Sequence, residues 1–332
     1  MTQSTVHGDK PVLVTGAAGF LGARIVEQLA ASGRPVRAVD AGTTDRAAAL
    51  ADLPGVTSER MDLRDTAALE SAVQGADAVV HLAALRPKAT QSRPQESFQV
   101  NVGVSYDLMR LAAEHDVRRI VFGSSHSVYG SFKTPRAFRW REDDLPPSAD
   151  LGMYGASKIA AEAYLNAFAA AGGPTYVSTR LATLYGPQSN RDNSLAGIML
   201  DVLAAVRRGE RPVVRWAPDA LHDLVYVDDA ARAMIAAVNL PDDRANLAVN
   251  VVGEPVSSTE AFGTLVELGG GDPESIDWQP ELSRFQLTSP DLMRSVLGPV
   301  LTTDLRTGLG EFVKWAATLP PARTTDAVVG AV

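Results

Sequence analysis

One stretch near the start of the chain restricts its possible folds more than any other. Residues 11–40 read PVLVTGAAGFLGARIVEQLAASGRPVRAVD, with glycines at Gly16, Gly19 and Gly22 and an acid at Asp40. The Val-rich run predicts a strand, the alanine-rich residues after the glycines predict a helix, and RPVRAVD predicts a second strand. Glycine at such a strand-to-helix turn permits close backbone packing, so the stretch predicts the first unit of an α/β fold.

The same alternation of strand and helix continues through the first half of the chain. Further strands are predicted at VTSERMDL, ADAVVHLAA, VRRIVFGSS and TYVSTRLATLY, with helical patterns such as TAALESAVQG between them. Apolar runs that alternate with helices are typical of a parallel sheet buried on both faces. After Gly186 the pattern loosens, and we predict a strand-to-helix return at RPVVRWAPDALHDLVYVDDAARAMIAAV, a loop at Gly269–Trp278 and a helix from about Thr302.

Composition narrows the class of protein. The 332 residues carry a net charge of −8, which argues against nucleic acid or an anionic membrane as the main partner. The absence of cysteine excludes disulfides and thiolate nucleophiles, and no grouping of His, Asp and Glu has convincing metal-ligand spacing. Because the first ten residues are polar and no apolar run reaches membrane-spanning length, we expect a cytoplasmic protein.

The glycines and the acid together predict a dinucleotide site. Gly16 allows a tight turn, Gly19 lets the backbone approach a pyrophosphate, and Gly22 lets the helix pack against the sheet. Asp40, roughly 20 residues further on, is placed to accept a hydrogen bond from an adenosine ribose hydroxyl. Its charge would repel a 2′-phosphate and no arginine follows it directly, so NAD is favoured over NADP. The alternative is a glycine-rich turn without a ligand.

A tyrosine and a lysine predict acid–base chemistry. MYGASKIAAEAYLNAF carries Tyr154 and Lys158 at a spacing of i and i+4, which puts both on one face of a helix. A phenol with a pKa of about 10 is a poor base at neutral pH, but a nearby ammonium and a positive nicotinamide ring would lower that pKa. Tyr154 would then exchange a proton with an alcohol or carbonyl while a hydride moves at the nicotinamide. For this spacing taken alone, a surface pair without function is the alternative.

A serine-rich segment, VFGSSHSVYG, lies at the end of a predicted strand. Ligands gather at that end of the strands in an open parallel sheet. Ser125 is placed to hydrogen-bond the reacting oxygen, and Ser127 is placed to hold the substrate; a serine-rich turn without function is the alternative. His81 in VVHLAA follows a buried-looking strand, and we expect a packed histidine there rather than a base.

These residues together resemble a known family. TGAAGFLG, MDLRD, HLAA, Asn101, SSHSVYG, YGASK, RLATLYGP and HDLVYVDDAARA follow the order of motifs in the extended short-chain dehydrogenase/reductases. The chain is most similar to their NAD-dependent sugar epimerase/dehydratase branch, which includes UDP-galactose 4-epimerase. The resemblance covers roughly residues 11–315. It implies a Rossmann-type doubly wound parallel sheet with a smaller, mostly C-terminal substrate domain.

The resemblance also implies a domain organisation and an assembly. An NAD-binding Rossmann domain would span 1–180 with a return segment at about 221–252. The substrate-binding domain would span 181–220 and 253–318, and 319–332 would form a disordered tail. In this family the helices near Val104–Glu114 and Ala156–Ala170 pair across a two-fold axis, so we expect a homodimer.

The pattern of the family assigns roles to individual residues of this chain. The implied catalytic residues are Ser125, Tyr154 and Lys158. The implied cofactor-binding residues are Gly16, Gly19, Phe20, Leu21, Asp40, Asp62, Leu63, Leu82, Ala83, Ala84, Asn101, Tyr154 and Lys158. The implied substrate-binding residues are Ser125, His126, Ser127, Thr183, Arg191 and His222.

Two positions depart from the pattern of the nucleotide-sugar epimerases. They often carry Asn where this chain has Thr183, and they often carry Arg where it has His222. That arginine usually meets the diphosphate of the substrate, so its absence puts the nucleotide part of the substrate in doubt. Arg191 is one candidate to replace it. Dehydratases of the family usually place acids after the catalytic Ser or Thr, whereas His126 and Ser127 stand here and argue against dehydration.

Three functions remain open at this point. The leading hypothesis is an NAD-dependent epimerase that oxidises and re-reduces one carbon of a sugar or nucleotide sugar. The alternative is a dehydrogenase or ketoreductase of a sugar derivative that releases its reduced cofactor. A non-catalytic NAD-binding protein is disfavoured, because a pure binder has no need of Ser125, Tyr154 and Lys158.

Overall fold

A computed structural model describes residues 10–42, 44–130, 139–144, 151–189, 194–282 and 287–320 of the chain. Two expectations therefore lie outside the described residues. They are the substrate contact assigned to Arg191 and the disordered tail beyond residue 320.

The described residues form strands at the predicted runs and further strands that were not predicted from the sequence. They are β1 (Val12–Thr15), β2 (Val36–Asp40), β3 (Val56–Arg60), β4 (Ala78–His81), β5 (Arg119–Ser125), β6 (Arg139–Trp140), β7 (Thr175–Leu181), β8 (Thr183–Tyr185), β9 (Val213–Trp216), β10 (Leu221–Tyr226), β11 (Leu247–Val251), β12 (Pro255–Ser257), β13 (Asp277–Leu282) and β14 (Leu287–Thr288).

The helices occupy the segments between these strands. They are α1 (Phe20–Ala31), α2 (Asp45–Ala51), α3 (Thr66–Val73), α4 (Pro87–Ser92), α5 (Pro94–Phe98), α6 (Ser105–Glu114), α7 (Met153–Ala170), α8 (Ser194–Arg207), α9 (Val227–Val238), α10 (Ser258–Leu268), α11 (Asp291–Leu297) and α12 (Leu305–Thr318). A π-helical turn at Gln99–Val104 joins α5 to α6, and a 3₁₀ turn at His126–Tyr129 follows β5. Among these helices, none combines the length and the apolarity that a membrane crossing requires.

Seven strands form the central sheet in the order β11-β7-β5-β4-β1-β2-β3, and every neighbouring pair is parallel. This arrangement confirms the predicted α/β fold with a Rossmann-type parallel sheet. The direction of winding reverses at β1, which lies between β2 and β4. A crevice opens at such a point beyond the carboxyl ends of the strands, and ligands bind there in open α/β sheets.

Helices cover both faces of this sheet because successive strand side chains point to opposite sides. Val12 and Val14 of β1 pack with α1, α9 and α11, whereas Leu13 packs with α3, α6 and α7. These side chains are fully buried, which explains why β1 reads as a continuous apolar run. The central sheet, which is buried on both faces, forms the base of the candidate site.

The later elements form smaller sheets around a third core. Three strands pair in the order β12-β10-β8, and β13 pairs with β9. Buried side chains of α8, α10 and α12 pack together beside them, including Leu203, Leu265 and Phe312. The division into an NAD domain and a substrate domain at the stated boundaries stays a prediction.

Two predicted segments differ from the structure. TYVSTRLATLY is two strands rather than one, because Ala182 ends the pairing of β7 in the central sheet and β8 pairs with β10 instead. The segment Gly269–Trp278 is not entirely loop, since β13 begins at Asp277 beside β9. Both differences depend on partner strands that are remote in the sequence.

A buried carboxyl group connects β10 to β14. Oδ2 of Asp223 accepts hydrogen bonds from Thr288 N at 2.7 Å and from Thr288 Oγ1 at 2.8 Å. Burial raises the pKa of Asp223 to about 6 despite these hydrogen bonds, with Arg139 lowering it and Glu254 raising it further. The folded protein therefore binds this proton more tightly than the unfolded chain does.

We expect Asp223→Asn to remove a loss of stability that the wild-type protein shows as pH rises. A carboxyl pKa that is higher in the folded protein than in the unfolded chain stabilises the fold. This stabilisation is complete at pH values below the pKa of the unfolded chain, and it is lost as pH rises through the folded pKa of about 6. The free energy of unfolding of the variant, relative to wild type, should increase by up to about 3 kcal/mol between pH 4 and pH 7.5. Urea unfolding at both pH values measures this, with the exposed Asp52→Asn as control. An unchanged difference would contradict the assignment.

Candidate active site

The glycine turn brings α1 very close to β1 and to the end of β4. Gly16 has a φ of 68°, and a Cβ there would lie 2.9 Å from Ala83 N. A Cβ on Gly22 would lie 2.1 Å from Gly16 O, so only glycine allows this approach. Gly19 caps α1 without a side-chain hydrogen bond to the first turn. The geometry suits the predicted pyrophosphate site, because the N–H groups at this helix N-terminus attract anions.

Asp40 lies at the carboxyl end of β2, next to the glycine turn. Its Oδ2 accepts a hydrogen bond from Ala18 N at 3.0 Å, and its Oδ1 accepts one from Gly42 N at 2.9 Å. These contacts hold the carboxylate in place beside the glycine turn, and its contact with a ribose hydroxyl stays a prediction. Leu21 is 7% exposed and packs into the core, so a role for Leu21 in cofactor binding rests on its backbone.

Two of the predicted cofactor-binding residues, Asp62 and Leu63, lie after β3. The carboxylate of Asp62 accepts a hydrogen bond from Arg64 Nη2 at 2.6 Å and others from Arg64 Nε and N. This pairing lowers the pKa of Asp62. Leu63 is buried in the core that contains α3 and α6. Asp62 is exposed, so its contact with a cofactor stays a prediction.

A buried chain of hydrogen-bonded polar side chains holds the crevice wall in place. The crevice wall is the segment HLAA, residues 81–84. Thr15 Oγ1 lies 2.7 Å from His81 Nδ1, and His81 Nε2 lies 3.0 Å from Ser105 Oγ. Burial, with a smaller effect of the nearby Lys158 charge, lowers the pKa of His81 to about 3, so the ring is neutral. Thr15 Oγ1 also accepts hydrogen bonds from the N–H groups of Leu82 and Ala83, each at 3.2 Å. These contacts fit the expected packed histidine, which holds the wall rather than acting as a base.

Asn101 lies on the π-helical turn beneath the crevice. Its Oδ1 accepts a hydrogen bond from Leu85 N at 2.7 Å, and its Nδ2 donates to Leu85 O, Ser97 Oγ and Ser157 Oγ. Ser157 Oγ in turn donates to Tyr154 O at 2.7 Å. Asn101 therefore connects the crevice wall to the helix that carries Tyr154. These contacts engage both ends of its amide, so direct contact with the cofactor stays a prediction.

Lys158 connects α7 to the central sheet. Its Nζ donates to Gly123 O of β5 at 2.8 Å and lies 5.6 Å from the ring centroid of Tyr154. Burial lowers the pKa of Lys158 to about 8, and Glu162 opposes that shift. Burial raises the pKa of Tyr154 to about 12, and the charge of Arg86 opposes that shift. The expected lowering of the Tyr154 pKa is therefore absent in the chain by itself, because desolvation outweighs the charge of Arg86.

The serine turn approaches the start of α7 closely. A Cβ on Gly155 would lie 2.4 Å from Ser127 O, so the helix packs directly on this turn. Ser125 Oγ accepts a hydrogen bond from Ser127 N at 3.1 Å and donates to Ser127 Oγ at the same distance. Burial lowers the pKa of His126 to about 4, so His126 is neutral. The structure thus brings Ser125 and Ser127 to the first turn of the helix that carries Tyr154.

Two of the predicted substrate residues, Thr183 and His222, lie in the smaller sheet. Thr183 of β8 is opposite Leu224 of β10. His222 Nε2 lies 2.7 Å from Ser258 Oγ, and its ring meets Trp216 edge-on at 4.8 Å between centroids. Burial lowers the pKa of His222 to about 4. A neutral His222 cannot supply the positive charge of the arginine that the family often has there, and its role in substrate binding stays a prediction.

Two sets of residues at the site were not predicted from the sequence. Arg46 lies on α2 rather than directly after Asp40, and its Nη1 donates to Gly19 O at 3.2 Å. Buried Arg180 pairs with Glu162 at 2.8 Å and donates to the Tyr129 hydroxyl at 2.9 Å, which supports the 3₁₀ turn. Arg180 could have been found from the sequence, because a charged residue inside an apolar strand pattern is rarely buried unless it is paired.

Metal binding receives no support in the part of the chain that the structure describes. No group of three or more His, Asp or Glu side chains there has an arrangement that holds a metal ion.

Comparison with known proteins identifies the family. A family model described as the NAD dependent epimerase/dehydratase family matches residues 12–252. The chain belongs to this family. The dTDP-glucose 4,6-dehydratase of Streptomyces griseus is 30% identical to it over 318 residues, which cover 92% of this chain and 93% of that relative. The UDP-glucose 4-epimerase of Mycolicibacterium smegmatis is 28% identical over 317 residues, which cover 91% and 97% respectively.

A solved structure extends this similarity to three dimensions. MoeE5 in complex with UDP-glucuronic acid and NAD is 32% identical, with a TM-score of 0.76, and the match covers 92% of this chain and 99% of that chain. The predicted family, the NAD cofactor and the assignment as an enzyme are confirmed. The predicted function as an epimerase of a sugar or nucleotide sugar fits these relatives.

We expect Asp40→Ala to reduce the preference for NAD over NADP. The variant loses both the acceptor for the ribose hydroxyl and the negative charge that repels a 2′-phosphate. Calorimetric titration with each cofactor measures the ratio of the two dissociation constants. Asp45→Ala removes an exposed carboxylate from the start of α2 and serves as the matched control. Equal or tighter binding of NADP by the wild-type protein would contradict the role of Asp40.

Proposed function

We propose that this enzyme is an epimerase that inverts one hydroxyl-bearing carbon of a nucleotide sugar. The observation that carries the proposal is the arrangement of Lys158, Tyr154 and the serine turn at the crevice. Lys158 anchors α7 to β5 through Gly123, and Gly155 lets the same helix pack on Ser127. An acid–base tyrosine, a buried cation and two hydroxyl groups thereby meet where the sheet binds its ligands.

Each of these side chains has a distinct part in the proposed reaction. Bound NAD would supply the chemistry of reversible hydride transfer at the substrate carbon, and its oxidised ring would add positive charge to the site. Tyr154 takes the hydroxyl proton and later gives it back. In the chain by itself desolvation raises the pKa of Tyr154 to about 12, and the positive charges of the oxidised NAD ring and of Lys158 would together favour the phenolate. Ser125 hydrogen-bonds the reacting oxygen.

A nucleotide sugar is the proposed substrate because relatives over nearly the whole chain are named for such substrates. Dehydration is the weaker candidate, since neutral His126 and Ser127 follow Ser125 in place of acids. The alternative of a dehydrogenase that releases NADH is kept because His222 stands where the diphosphate arginine is often found.

We expect Tyr154→Phe to lower turnover by about 10²- to 10⁴-fold while leaving NAD affinity nearly intact. The variant keeps the ring but loses the hydroxyl group that moves the proton. Steady-state kinetics and NAD titration measure the two effects separately. Tyr164→Phe on the exposed part of the same helix is the matched control. Near-normal turnover of Tyr154→Phe would show that another group transfers the proton.

A panel of nucleotide sugars, free sugars and sugar acids, run with and without added NAD, separates the epimerase from the dehydrogenase. An epimerase returns the hydride to the same carbon, so it needs no added NAD and accumulates no NADH. We expect inverted product without net absorbance of NADH. Stoichiometric release of NADH on any good substrate would favour the dehydrogenase instead.

We also propose that the protein is a homodimer formed through α6 and α7. Tyr106 of α6 is 40% exposed and Tyr164 of α7 is 42% exposed, and their ring centroids lie 5.1 Å apart. Phe168 extends this aromatic cluster, with its ring centroid 5.6 Å from that of Tyr106. Large exposed apolar groups that lie together are typical of interaction surfaces, and a two-fold dimer is the commonest symmetric assembly.

The dimer has a direct test. Light scattering at micromolar concentration should give twice the mass of the chain for wild type. Tyr164→Glu should give the mass of one chain, because a buried, unpaired charge opposes association. Val213→Glu changes an equally exposed apolar side chain on β9 and should leave the dimer intact. A monomeric wild-type protein would contradict the proposal.

Location in the cytoplasm also stays a prediction, and fractionation of the source cells tests it.

A further inference from the structure

A single arginine joins two segments of the crevice that are far apart in the sequence. Arg46 Nη1 donates to Gly19 O at 3.2 Å, at the N-terminus of α1. Arg46 Nη2 donates to Gln188 O at 3.4 Å and also to Gln188 Oε1. Gln188 lies 142 residues further along the chain, in the segment after β8. The guanidinium therefore spans from the glycine turn to the segment that leads away from the central sheet.

Both ends of this connection are held in place by their surroundings. Arg46 is on α2, which begins at the capping residue Thr44 and is anchored in the core by Leu50, only 2% exposed. Gln188 has a φ of 65°, a left-handed backbone conformation that residues other than glycine adopt only at a cost in free energy. Interactions of its own groups have to offset that cost, and both its carbonyl and its side-chain amide bond Arg46.

The position of Arg46 relates it to the cofactor. A dinucleotide that reaches from Asp40 to Lys158 has to pass the N-terminus of α1, where the pyrophosphate binds in this fold. Arg46 meets Gly19 at that same place. We propose that Arg46 and Gln188 form a latch that closes the segment after β8 onto the glycine turn and so keeps NAD from leaving.

Charge is consistent with a position beside the phosphates. Arg46 is half-buried, and burial together with the nearby charge of Arg24 lowers the pKa of its guanidinium while Glu27 raises it. In the described part of the chain, Arg46 donates hydrogen bonds to the oxygens of Gly19 and Gln188, none of which carries a full negative charge. The two negative charges of a pyrophosphate at this helix N-terminus would offset the positive charge.

The purpose of the latch rests on the proposed epimerase cycle, which needs NAD to stay bound between oxidation and reduction. Its test does not use a sugar substrate, so a failure of the latch and a failure of the proposed function are distinguishable. The purified protein is loaded with NADH and mixed with excess NAD, and the decrease in NADH fluorescence gives the rate of release.

We expect Arg46→Gln and Gln188→Ala each to raise the release rate by about tenfold, the effect of losing one charge-assisted hydrogen bond. The double variant should release NADH no faster than the faster single variant, because each substitution opens the same latch. Arg46→Lys should also release NADH quickly, since one ammonium cannot reproduce the planar fork of donors. Arg24→Gln removes a neighbouring positive charge without touching Gln188 and should match wild type.

Three results would overturn the latch. In one, Gln188→Ala behaves as wild type while Arg46→Gln releases NADH quickly, which means that Arg46 acts on the dinucleotide alone. In the second, the effects of the two substitutions multiply in the double variant. In the third, Arg46→Lys restores the wild-type rate, which means that charge alone accounts for retention. Thermal unfolding of every variant accompanies these measurements, and a variant with a lowered midpoint is replaced by Gln188→Asn or Arg46→Met.

Discussion

The close approach of α1 to the carboxyl end of the central sheet is the constraint on which the rest of the site depends. Gly22 leaves no room for a Cβ against Gly16 O, and Gly16 leaves none against Ala83. The first helix, the first strand and the crevice wall therefore share one tightly packed point. Because the N-terminus of α1 lies there, we expect the phosphates of NAD to bind at this point before any side chain contributes.

Polar side chains then connect this point to the reaction centre. Thr15 joins β1 to the crevice wall through Leu82 and Ala83. Asn101 joins the same wall to α7 through Leu85 and Ser157. Since α7 carries Tyr154 and Lys158, the proposed acid–base group is held at a set position relative to this wall. These supporting hydrogen bonds matter because a reacting group has to be placed within a fraction of an ångström.

Much of this arrangement was predictable because local patterns dictated it. The apolar runs predicted the central strands, and the motifs TGAAGFLG, SSHSVYG and YGASK predicted where the ligands gather. The remainder depended on distant partners. The split of TYVSTRLATLY required β10 as a partner for β8, and the role of Arg46 required Gln188 to be close in space. The raised pKa of Tyr154 required knowledge of its burial, which no spacing of residues supplies.

The sequence by itself determined the fold class, the family and the identity of the cofactor, because glycine spacing, apolar periodicity and the pair Tyr154 and Lys158 are properties of local stretches. Only the tertiary structure decided what the charged and polar groups do. His222 is neutral and bonded to Ser258, His81 is a structural link to Thr15, and Arg46 joins Gly19 to Gln188. The physical reason is that hydrogen bonding and desolvation depend on which groups the fold brings together, and those groups are separated along the chain.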